Sequence, residues 1–164
     1  MNTPISFRLL PDPEIHDLLE RTLERVNKAC NGARTRALEG RVTGRANLKA
    51  IVKEELEKFK LPASLIALST DRVTVSLGKQ KFGTYQSLVF PPAAVKWPAS
   101  DRVTVPTAAG KRTIRVYLDP SKGNLRPPLD GLPTALVFRN GEFELVDASV
   151  DPDAPAAPPP WERS

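Results

Sequence analysis

The side chains with the clearest chemical potential in this 164-residue sequence are cations set among aromatics in its central part. They are Lys79, Lys81, Phe82, Tyr85, Lys96, Trp97, Arg102, Lys111, Arg112, Arg115 and Tyr117. Lysine and arginine neutralise phosphates, and aromatic planes stack on unpaired bases. The alternative is that Phe82 and Trp97 are core residues and the cations are merely solvated. The residues alone leave these two readings level. Nine positions are candidate nucleic-acid contacts: Lys79, Lys81, Tyr85, Lys96, Arg102, Lys111, Arg112, Arg115 and Tyr117. Arg115 and Tyr117 fall on one face of an alternating segment, which makes them better candidates than Trp97.

Catalysis has less to work with. His16 is the single histidine and has no partner identifiable for acid–base work. No glycine-rich phosphate loop, dinucleotide fingerprint or HExxH zinc motif occurs. Asp101, Asp119, Asp130, Asp147 and Asp151 sit mainly where aspartate turns or caps the backbone. The reading therefore names no catalytic residue, no metal ligand and no cofactor. The lone Cys30 excludes an internal disulfide and any multi-cysteine metal site, and points to a reducing cytoplasm. No run of about 18 apolar residues offers a membrane span, and no secretory leader is recognisable.

Charge is unevenly placed. The formal net charge is +5 and the pI about 9.6. Residues 61–140 carry 11 basic and 4 acidic side chains, whereas residues 141–164 carry 1 basic and 6 acidic. The central segment is thus where an anionic partner is expected.

The elements that would position these residues are readable in outline. Ser6–Leu10 reads as a short strand. Asp12 and Pro13 open a helix whose apolar face is Ile15, Leu18, Leu19, Thr22, Leu23, Val26 and Cys30, ending at Asn31-Gly32. Residues 33–44 read as a loop or weak helical turn. A second helix is expected from about Ala46 to Lys60, with Leu48, Ile51, Val52, Leu56 and Phe59 inward. Residues 61–80 are ambiguous, because Pro62 can open a helix while Asp71–Leu77 alternates like a strand. Asp-Arg-Val-Thr-Val occurs at 71–75 and again at 101–105, with unlike flanks. From Phe82 the pattern becomes β: 87–90, 102–105, 112–118, 134–138 and 143–146. Asn140-Gly141 marks a hairpin between the last two. Such spacing implies a small barrel or sandwich. Residues 151–164 form a Pro-rich acidic tail.

Ser6-Phe-Arg-Leu-Leu-Pro11, then Glu14, Leu18-Leu19, Thr22 and Asn31, resembles the start of TnpB. This family of transposon-encoded, RNA-guided DNA nucleases is related to compact type V CRISPR effectors. Leu10 and Cys30 stand where aromatics are commoner in the family. Val103–Thr107, Ile114–Leu118 and Ala135–Leu145 resemble its barrel strands, so the likeness covers about residues 5–150. It implies an α+β fold: a small wedge-like, OB-like β-barrel whose first strand is followed by a three-helix insertion. It also implies helix over 62–79. The domains would be 4–11 with 84–150 for the barrel and 12–83 for the helical insertion. The implied partners are a structured guide-type RNA and a double-stranded target DNA; a separate RuvC-like nuclease chain is a further candidate, beside a remnant that has lost its nuclease, and no membrane is expected. No position here matches the family's catalytic aspartate, so the resemblance implies binding and not cleavage. The competing class is a protein-interaction module, docking a partner through the barrel and the Pro-rich tail. A hydrolase is the weakest reading, since the one histidine stands in no catalytic context.

Overall fold

The structure, a computed structural model, describes residues 6–40, 44–76, 82–99, 101–117 and 133–148. Strand β1 (Ser6–Leu10) is followed by helices α1 (Pro13–Glu39), α2 (Arg45–Glu57) and α3 (Ala63–Ser76). Six strands come next: β2 (Leu88–Phe90), β3 (Lys96–Ala99), β4 (Arg102–Thr107), β5 (Gly110–Val116), β6 (Thr134–Arg139) and β7 (Glu142–Asp147). A single 3-10 turn, Pro92–Ala94, separates β2 from β3. The seven strands make one curled antiparallel sheet, a half-barrel, in the order β2-β6-β7-β1-β5-β4-β3. The α+β class and the helical insertion after the first strand thus stand.

The chain divides into two compact units. One holds the sheet: residues 1–16, 87–105 and 111–164. The other holds residues 17–86 with the turn 106–110.

In the sheet unit β1 lies centrally. Phe7 pairs with Leu145 of β7, and Leu9 pairs with Val116 of β5. One face carries Leu9, Leu88, Phe90, Val103, Val105, Ile114, Val116, Leu136, Phe143 and Leu145, all buried. The β6–β7 turn has φ 53° at Asn140 and φ 78° at Gly141, the paired left-handed residues of a tight hairpin. The first turn of α1 packs here. The Asp12 carbonyl accepts the His16 amide at 2.8 Å. The His16 ring meets Phe143 edge-on at 5.1 Å, and its Nε2 lies 2.9 Å from the Gly141 carbonyl. A carbonyl only accepts, so that nitrogen carries a hydrogen and donates. The one histidine therefore pins a turn.

In the helical unit the core is Leu19, Leu23, Val26, Cys30, Ala33, Val52, Leu56, Leu65, Val73 and Phe82. Helix α1 does not end at Asn31-Gly32 as the sequence implies; it continues to Glu39. Ala33 and Ala37 extend its buried stripe. Gly32 is a helical residue at a close approach, where an added Cβ would lie 3.6 Å from the Phe59 ring. A packing glycine and a capping glycine look alike in sequence. Helix α2 stops at Glu57, three residues short of expectation, and Lys60 turns the chain with φ 56°. The ambiguous segment is helix to Ser76; residues 77–79 lie outside the described residues.

Two β assignments also change. Strand β3 has no counterpart in the sequence reading, and its Pro98 fits an edge position. Strand β4 runs through Pro106 instead of stopping before it. Its pairing with β3 reaches only Lys96–Thr104, so Pro106 lies beyond that partner.

Candidate nucleic-acid interface

Register sorts the candidate cations. The contacts Asp101–Val116 (2.9 Å), Thr104–Thr113 (2.7 Å) and Thr107–Gly110 (2.6 Å) share one antiparallel register across β4 and β5. That register sets Arg102 opposite Arg115. Lys96 pairs with Thr104 on the neighbouring strand. With the two-residue period of strands, Lys96, Arg102, Thr104, Lys111, Thr113 and Arg115 therefore share the face opposite Val103, Val105, Ile114 and Val116. Lys96, Lys111, Thr113 and Arg115 are exposed; Arg102 and Thr104 are half-buried. Tyr117 continues the same alternation, is half-buried, and donates its backbone N–H to the Arg8 carbonyl at 2.9 Å.

Arg112 stands apart. Alternation gives it the other side of β5, exposed near the strand's start, with Nη1 donating to the Lys111 carbonyl at 2.9 Å. Tyr85 belongs to the helical unit. Its hydroxyl donates to Glu24 Oε1 at 2.6 Å, and that bond is the main reason its phenol is pushed up from the ordinary value. Trp97 packs edge-on against Phe7 at 5.9 Å. Phe82 is buried beneath the Arg72 guanidinium, 4.0 Å from its ring centroid. Lys79 and Lys81 lie outside the described residues.

The charge on this face is uneven. On β1, β6 and β7 its cations meet carboxylates: Arg8 with Glu142 at 2.6 Å, and Arg139 with the buried Glu144 at 3.5 Å. On β3, β4 and β5 the pattern differs. Arg102 has Asp101 beside it at 3.3 Å, while Lys96, Lys111 and Arg115 form no ion pair among the described residues. Like charges placed directly across two strands cost stability, so the Arg102–Arg115 arrangement is not one that folding alone favours. Lys111 and Arg115 are about 13 Å apart along β5, roughly the rise of four nucleotides of one duplex strand.

No protein-family model matches the chain, and no curated protein matches it in sequence.

Two side chains that matter here carry no signal in the charge pattern. Asn27 and Asn31 stand four residues apart on α1, hence on one face. Asn31 Nδ2 donates to the Phe82 carbonyl at 2.8 Å, and its Oδ1 accepts the Phe82 amide at 2.7 Å. Asn27 Nδ2 donates to the carbonyls of Thr84 and Gln86, both at 3.0 Å. Together they bind residues 82–86 to the helix, which places Tyr85 beside Glu24. An amide pair at i and i+4 inside an apolar stripe was the available signal. Cys30 beside them is buried: burial pushes its thiol up, and the Arg72 guanidinium at 3.6 Å and the Ser69 hydroxyl offset this only in part. No helix among the described residues is long and apolar enough to cross a membrane.

Proposed function

We propose that this chain is a nucleic-acid-binding module of the TnpB-like kind. Its β3–β4–β5 face would hold the phosphates of a structured, guide-type RNA, of a target DNA duplex, or of both. The observation that carries this reading is the gathering of Lys96, Arg102, Lys111 and Arg115 on one face of three adjacent strands, with two arginines opposed. The threonines between them, Thr104 and Thr113, add hydroxyl donors suited to phosphate oxygens. In this reading the half-barrel is the OB-like wedge of that family and the helices its recognition insertion. Sequence would then be read by base pairing within the bound RNA and its target, while the protein contacts backbone and shape. Cutting would fall to a RuvC-like nuclease.

The test is a salt titration of affinity, read by fluorescence anisotropy with a labelled RNA hairpin and a labelled DNA duplex. The variant K96E/R102E/K111E/R115E is expected to bind about tenfold or more weakly. Its plot of log affinity against log salt should be shallower by about 0.9 for each duplex phosphate that is no longer neutralised. Circular dichroism checks that the sheet is retained. Wild-type affinity with a wild-type slope in the folded variant overturns the reading.

A further inference from the structure

The hairpin turn Asn140-Gly141 carries chemistry of its own, apart from shaping the sheet. The side-chain amide of an asparagine is a latent electrophile, and the backbone nitrogen of the next residue is a latent nucleophile. When that residue is glycine, no side chain shields the nitrogen. Asn140 and Gly141 are both exposed, and a Cβ built on Gly141 would meet nothing within 4 Å. Water therefore reaches amide and backbone alike. Asn31-Gly32 is the same dipeptide in another setting. It lies within helix α1, and Phe82 engages both the nitrogen and the oxygen of the Asn31 amide.

The folded turn keeps the two groups of Asn140-Gly141 apart. Asn140 has φ 53°, in the left-handed region, where ψ is about +30 to +60°. At such a ψ the Gly141 nitrogen lies nearly opposite Cβ across the Cα–C bond. Attack on Cγ needs these two atoms eclipsed, so the turn must open first. His16 opposes that opening. Its Nε2 donates to the Gly141 carbonyl at 2.9 Å, which fixes the peptide unit after the reactive nitrogen. Its ring also stands edge-on to Phe143 at 5.1 Å and to Phe138 at 6.1 Å. Those two rings stack on each other at 4.5 Å across the hairpin, just inside the Arg139–Glu142 pair that closes it.

We infer that Asn140 is a self-modification site that the fold holds closed, with His16 as its latch. When the hairpin end opens, the Gly141 nitrogen attacks Asn140 Cγ. A new C–N bond forms, the C–N bond of the side-chain amide breaks, and ammonia leaves with the proton given up by the backbone nitrogen. Water then opens the cyclic imide at either carbonyl, giving aspartate or isoaspartate. Either product adds a carboxylate two residues before Glu142, the partner of Arg8. Isoaspartate also inserts a methylene into the backbone. The two-residue left-handed turn then no longer forms, and the β6–β7 register loses its anchor. The change does not reverse, so the turn records its own openings. This chemistry goes beyond the nucleic-acid reading and does not rest on it.

The experiment incubates the full chain at fixed pH, folded and unfolded in guanidinium chloride. Peptide mapping by mass spectrometry follows Asn140 and Asn31 separately. In the folded chain Asn140 is expected to convert more slowly than in the unfolded chain, yet faster than Asn31. His16→Phe keeps an aromatic ring but cannot donate to the Gly141 carbonyl. It should raise the Asn140 rate by about fivefold, the gain in opening from one lost hydrogen bond. Val105→Ala weakens the packing of β4 away from the turn and should leave that rate unchanged. Circular dichroism checks that both variants are folded. Equal Asn140 rates in the folded and unfolded chains overturn the protection by the turn. A wild-type rate in His16→Phe overturns the latch. A rate raised alike in both variants assigns the protection to the whole fold, and overturns the latch as well. Conversion of Asn31 before Asn140, or no conversion of Asn140 in any folded chain while the unfolded chain converts fully, overturns the site.

Discussion

Removing the amide of Asn31 is expected to cost more than its half-buried position implies. Asn31→Ala would strip partners from both the N–H and the C=O of Phe82, a residue that is itself buried. Leaving such groups unpaired costs about 1–3 kcal/mol. Chemical denaturation of the variant against wild type measures it, and a change below about 0.5 kcal/mol would mean that solvent replaces both bonds. The same residue shows where reading the sequence fell short. Asn31-Gly32 has the composition of a helix end, and only the approach to Phe59 and the bond to Phe82 reveal two mid-helix packing residues. The charged candidates fared unevenly for a related reason. A strand's alternation is visible in 112–116, so the outward direction of Arg115 was legible. The meeting of Arg102 with Arg115 was not, because register between strands is set by contacts that no single strand contains.

The pentapeptide Asp-Arg-Val-Thr-Val makes the corresponding point at the level of elements. Residues 71–75 lie in helix α3, whereas 102–105 lie in strand β4 with Asp101 in the preceding turn. In the helix the two valines point nearly opposite ways: Val73 is fully buried and Val75 is 70% exposed. In the strand both Val103 and Val105 are fully buried on one face. Intrinsic preference is identical, so tertiary packing decides. One substitution should therefore act oppositely at matched positions. Val75→Ala is expected to be neutral or to stabilise by about 0.5 kcal/mol, because alanine is the better helix former. Val105→Ala is expected to cost about 2 kcal/mol through the removal of two methyl groups and the cavity left behind. Thermal and urea unfolding of the two single variants decide the matter. Equal effects would mean that the two copies do not differ in environment. Strong, local signals such as Asn140-Gly141 and the α1 stripe were legible at this scale. Strand β3 was not, since four residues with a proline carry little pattern of their own.

At the scale of the molecule, strand β1 controls a sheet that is otherwise built from residues 88–147. Strand β1 pairs with β7 on one side and β5 on the other, and it joins the β2-β6-β7 half to the β5-β4-β3 half. Its Arg8 reaches Glu142, 134 residues away. Such pairing must be closed against chain entropy before it contributes, which makes the sheet a late, non-local structure. It also means that the unpaired cations on β3–β5 depend on a strand whose own cation on that face, Arg8, is taken up by Glu142. A chain starting at Pro11 would leave β5 and β7 each with an open edge, a template for association. The expected outcome is loss of a single cooperative urea transition, together with loss of duplex binding. The transition is followed by Trp97 fluorescence with Trp161→Phe in both chains, because Trp97 packs against Phe7 of β1. Leu9→Ala provides a milder variant should the shortened chain aggregate. Leu9 is 2% exposed, and its truncation should lower stability by about 2–5 kcal/mol without opening an edge. A shortened chain with the full-length midpoint and slope would show that the two halves of the sheet hold together without β1, and the central place given to that strand would have to be abandoned.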